Sequence, residues 1–144
     1  MRVTDAEVNP RQHGAYLDVI IGHTQPLGDA VLAMGQAAGS AARSGSGADV
    51  ANAVDAMRHA GEQASAFLDA LAGTHCPAYL RGADSALQDA LKLQIDGARR
   101  GVRSATAGDA GGLIAAAQEM EVFNQDAVAA EQLFNAWRSD AARP

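Results

Sequence analysis

Four histidines (His13, His23, His59, His75), one cysteine (Cys76) and three internal methionines (Met34, Met57, Met120) are the side chains that could ligate a metal or attack a substrate. Their spacing argues against most of that chemistry. A di-iron helical bundle needs Glu-x-x-His on two helices. That motif is absent, and His59 and Glu62 have the right separation in the reverse order. His75-Cys76 adjoin Pro77, but no second ligand pair accompanies them, and the Cys-x-x-Cys-His of haem attachment is missing. A thiol at a helix start can have a lowered pKa. As a nucleophile, Cys76 would still need a histidine facing it, and the adjacent His75 is directed elsewhere by the chain. For this pair we expect a surface histidine and a small buried thiol, and for the chain no metal centre and no enzyme. The cluster Arg99, Arg100, Arg103 is the densest group of cations. Near a helix end it complements the negative pole of the dipole; an anion or partner site is the other reading.

What must position these residues is helix. Alanine makes up roughly a quarter of the chain, and it loses no side-chain entropy in a helix. The β-branched residues are sparse and no alternating run is present. Three breaks divide the sequence: Ser44-Gly45-Ser46-Gly47, Gly73-Thr74-His75-Cys76-Pro77 and Thr106-Ala107-Gly108-Asp109. Each offers a glycine to end a helix in the left-handed conformation. Each also offers a start signal: Ser46 with Asp49 as a capping box, Pro77 in a first turn, and Asp109 as a cap.

Helices are therefore expected over about Pro10–Arg43, Ala48–Ala72, Pro77–Ala105 and Ala110–Ala141, after an arm of Met1–Asn9. The first seam is Leu17, Ile20, Thr24, Leu27, Val31, Met34, Ala38, Ala41. The second is Val50, Val54, Met57, Gly61, Ala64, Leu68, Leu71. The third is Leu80, Ala83, Leu87, Leu91, Gln94, Ala98, Val102. The fourth is Leu113, Ala116, Met120, Phe123, Ala127, Ala130, Phe134, Trp137. Steps of three and four, with short connections, predict one domain, an antiparallel up-down-up-down four-helix bundle. Pro26 is expected to kink the first helix near Gly22 without ending it, because the seam stays in phase on both sides.

Folding these helices antiparallel places Met34, Met57 and Met120 near one height, with Gln94 beside them. Flexible core filler is one reading of this layer. The other is a core site for a small apolar ligand or for Cu(I), which favours thioethers. Small seam residues such as Gly61 and Ala98 permit close helix approach.

The formal net charge of −6 disfavours a nucleic-acid partner. A single cysteine excludes an internal disulfide. No apolar run is long enough to span a membrane, and no apolar signal core follows Met1. A cytoplasmic setting is expected if the chain is complete, and the cell envelope if a signal precedes Met1. One lysine, Lys92, among many arginines, with abundant Ala and Gly, is the composition of a high-GC bacterial genome.

Pro77 opening a helix, then Leu80, Ala83, Leu87 and Ala90, then Gly108-Asp109 ahead of Leu113 and Ala116, resembles uncharacterised bacterial four-helix-bundle proteins. These are often predicted to be exported or lipoproteins. The resemblance covers the second half well and the first half loosely, and Asp84 stands where that pattern often has His. It implies the fold and an envelope setting, and supplies no activity or site residues. The leading expectation is a non-enzymatic structural or interaction module that meets a protein partner, or a second copy of itself, through outer helix faces. Tyr79, Phe67 and Trp137 are candidates for such a face.

Overall fold

A computed structural model describes the backbone of residues 10–141 and, within it, the side chains of residues 14–132 and 134. The expected arm, the side chain of His13 and that of Trp137 lie outside the described residues. Four helices form a bundle: α1 (Pro10–Ser44), α2 (Gly47–Ala72), α3 (Arg81–Thr106) and α4 (Ala110–Ala141). Helices adjacent in sequence pack side by side, and α4 closes the ring against α1 through the slightest of the four seams.

The breaks work largely as their chemistry predicts. Gly45 and Gly108 adopt φ of 64° and 82°, the left-handed conformation that lets α1 and α3 stop abruptly. Gly73 differs. It stays right-handed at φ −83°, because Thr74 closes α2 instead, its N–H bonding Leu71 O and its hydroxyl bonding Ala70 O. Ser46 Oγ accepts the Asp49 N–H at 3.1 Å, as a capping box requires. The return bond is relayed: Ser44 Oγ accepts the Ser46 N–H and donates to the Asp49 carboxylate. Asp109 caps α4 by accepting the Gly112 N–H at 2.9 Å. Pro77 lies outside the α-helix, introducing a one-turn 3-10 helix, Ala78–Leu80, from which α3 departs at Arg81.

α1 continues through Pro26. The carbonyl deprived of its donor belongs to Gly22, which is exposed, so water can replace the lost bond.

Three helices show where pattern and packing part. In α2 the buried stripe is Ala53, Met57, Ala60, Ala64, Phe67, Leu71. It shares Met57, Ala64 and Leu71 with the expected seam and is otherwise rotated toward Phe67, leaving Val50, Val54, Gly61 and Leu68 half-buried. Burying the larger aromatic surface decides between two stripes of equal periodicity. Phe67 is therefore core, fully buried and stacked at 5.2 Å on the ring of His23, and offers no partner face. In α3, Asp84, Gly97 and Gly101 face inward, whereas Ala83 and Val102 sit at the margin. In α4, Ala117 and Glu131 join the core and Phe123 is only half-buried.

Candidate functional site

Three places hold side chains capable of recognition or chemistry. The first is the methionine layer. Met34, Met57 and Met120 are all fully buried. Met57 lies directly on the backbone of Gly101, where an added Cβ would collide with its Sδ. Met120 lies on Gly97, its Cγ 2.9 Å from the position of an added Cβ. The thioethers thus occupy the space that the glycines leave open. Gln94 is one turn of α3 before Gly97 and two before Gly101, about 4 and 10 Å at the usual helical rise, so it adjoins the Met120 level rather than sharing that of Met57. Gln94 is fully buried, and neither Nε2 nor Oε1 has a hydrogen-bond partner.

The second place is a polar cluster at the end of the bundle where α3 begins. Tyr16 of α1 donates to Asp84 Oδ1 at 2.5 Å, joining diagonally opposed helices, and Gln88 Nε2 donates to Asp84 Oδ2 at 2.6 Å. Both carboxylate oxygens are engaged, which is what a buried carboxylate needs. The Phe134 ring meets that of Tyr16 edge-on at 5.6 Å. Burial, then the bond to Asp84, push the Tyr16 hydroxyl far above its ordinary pKa. Half-buried Cys76 adjoins this cluster and its thiol donates to Pro77 O. Burial, followed by the Asp84 carboxylate, pushes the thiol up; the Tyr16 hydroxyl and the Arg81 charge oppose this only in part. The lowering that a helix start can give a thiol is outweighed here, since desolvation and a neighbouring anion both disfavour ionisation. Burial likewise raises Tyr79 to about 12. Such a cluster pins helices and holds its protons.

The described histidines form no cluster. His23 packs on Phe67, while His59 and His75 are exposed. Among the described residues, no group of three or more His, Cys, Asp or Glu could hold a metal ion. Among them too, no helix is long and apolar enough to cross a membrane.

The third place is a cleft of about 670 Å³ between α2 and α3, lined by Arg58, Gly61, Glu62, Ser65, Ile95, Asp96, Ala98, Arg99, Val102 and Arg103. Its register follows from the close contacts. Met57 on Gly101, and Gly61 against Ala98, pair the helices so that Arg58 comes level with Arg99 and Arg103. The α3 arginines stand together in the sequence, whereas Arg58 joins them only through this pairing. Arg100 belongs elsewhere: it binds Asp96 at 2.9 Å and Glu119 at 2.8 Å. Arg58, Arg99 and Arg103 are exposed, and no carboxylate forms an ion pair with them among the described residues.

No protein family, curated protein or solved structure matches the chain.

Proposed function

We propose that the chain is a non-enzymatic interaction module, a rigid helical bundle that meets a partner protein through its outer faces. The observation that carries this reading is the apolar flank along the α1–α4 seam. Ile21 is 52% and Leu32 63% exposed, and their separation of eleven residues, three helical turns, sets both on one stripe of α1. On α4, Glu121 reaches Gly35 of α1, and Val128, two turns further and 40% exposed, continues the same side. Isolated exposed apolar residues are ordinary, whereas several along one seam are the mark of a docking surface.

The test is a photo-crosslinking residue placed in turn at Ile21, Leu32, Val128 and Arg99 in cells that make the protein natively. The reading expects a discrete adduct with one polypeptide, which a second copy of this chain would also satisfy, from at least one position. No protein adduct from any position would overturn it.

A second reading is a carrier that takes a small apolar ligand or Cu(I) at Met34, Met57 and Met120. The unpartnered amide of Gln94, one turn from the Met120 level, is the observation in its favour. The filling of the layer by the methionines themselves weighs against it.

A further inference from the structure

The α2–α3 cleft lies across the bundle from the apolar flank and has a different chemistry. Its floor is a shallow dip, because Gly61 lets α2 approach Ala98 so closely that an added Cβ would come within 2.8 Å of the Ala98 Cβ. Ile95 and Val102, one turn to either side of Ala98, are half-buried and border the dip. Beside this apolar floor stand the guanidiniums of Arg58, Arg99 and Arg103. The lining carboxylates form no close ion pair with them: Asp96 is turned to Arg100, and Glu62 forms no ion pair among the described residues. A cationic site thus survives on a chain of net charge −6. Three guanidiniums against two lining carboxylates, one of them bonded to Arg100, leave a positive excess that an anionic partner can neutralise.

From Ile95 to Arg103 the cleft runs about 12 Å along α3, roughly two helical turns. That length suits one apolar side chain seated over Gly61 and Ala98, with acidic residues a turn away reaching the guanidiniums. It is the helix-in-groove mode, with anchors at three- and four-residue spacing. We propose that the α2–α3 cleft binds a short amphipathic acidic segment of a partner protein. One leucine-sized side chain sits on the Gly61–Ala98 floor, and carboxylates pair with Arg58, Arg99 and Arg103. This inference rests on the interaction-module reading and names a second surface for it.

The experiment titrates the isotope-labelled full chain with a synthetic helical peptide of about 14 residues, followed by amide chemical shifts. The peptide is alanine-based, with a central Leu and Glu three and four residues to either side; its control carries Gln in place of each Glu. Shifts should concentrate on residues 58–65 and 95–103, with the control binding at least about tenfold more weakly and affinity falling as salt screens the pairs. The Arg99→Gln/Arg103→Gln double variant should lose at least about tenfold in affinity, while Arg43→Gln, remote from the cleft, should lose none. Both variants change exposed residues, and circular dichroism verifies their fold. Equal binding of the two peptides, shifts confined elsewhere, or an unaffected double variant would overturn the proposal. So would binding of dodecyl phosphate at the cleft without binding of the acidic peptide. A crosslinked partner at Leu32 together with a silent cleft would leave the module reading standing and remove this one.

Discussion

Gln94 provides the most quantitative check on the bundle core. Its side chain is fully enclosed, and neither end of its amide is hydrogen-bonded. An amide buried without a partner costs about 1–3 kcal/mol on the scale of protein substitutions. Gln94→Met keeps the length and flexibility of the side chain and removes both unmet groups. The variant should therefore be more stable by about 1–3 kcal/mol, raising Tm by roughly 3–12 °C for a chain of this size. Urea unfolding followed by helical circular dichroism measures this directly, and an unchanged m value shows that the states compared are the same. Gln94→Ala supplies the contrast: it also deletes the amide but opens a cavity, so it should be neutral or destabilising by about 1–2 kcal/mol. If Gln94→Met instead lost 1 kcal/mol or more, the amide would be making bonds in the native protein. The core at that level would then be polar and occupied.

Further outcomes follow from other side chains. Gly28→Ala meets open space inside α1 and should stabilise by about 0.5–1 kcal/mol through helix propensity. Gly101→Ala drives a methyl into Met57 and to 3.0 Å from the Ala116 Cβ, so it should destabilise by about 1–2 kcal/mol in the same urea assay. Burial raises the pKa of Glu131, and the neighbouring Thr24 hydroxyl offsets this only partly. Between the unfolded carboxyl pKa of about 4.3 and the higher folded value, the native state holds a proton that the unfolded state has released, so this group's effect on stability worsens as pH rises. Melts of Glu131→Gln should accordingly show a gain over the parent at pH 7 that shrinks to nothing as pH falls below about 4; a gain independent of pH would contradict the assignment. Cys76, its thiol raised by burial and by Asp84, should react with iodoacetamide at pH 8 at least about tenfold more slowly than an unhindered thiol. Reaction at or above the free-thiol rate would contradict its placement.

Most of the fold was legible because four long segments repeat their apolar residues at helical spacing between breaks whose residues have few other uses. Gly45, Gly108, Ser46 and Asp109 each perform the role that their type and place imply. Periodicity does not choose between two stripes of equal spacing, and in α2 the choice fell to the bulk of Phe67. Nor does it show that a glycine is a seat for a side chain on another helix, which is why Gly97 and Gly101 were missed as core and Gln94 was set too near Met57. Asp84 lies off the expected seam of Leu80, Ala83 and Leu87, and its burial depends on Tyr16, 68 residues away, which bonds it. The arginine cleft was half legible. Arg99 and Arg103 stand together in the sequence, whereas Arg58 joins them only through the α2–α3 register.

The central claim is that the chain works by meeting another protein. Native mass spectrometry of the chain isolated at its natural abundance tests this most directly. An interaction module should appear as a whole-number complex with a polypeptide partner, from which the chain dissociates at its bare mass of 14.7 kDa. A chain that instead stays monomeric at every concentration, carrying the added mass of a metal ion or small organic molecule, would contradict the account and favour a carrier.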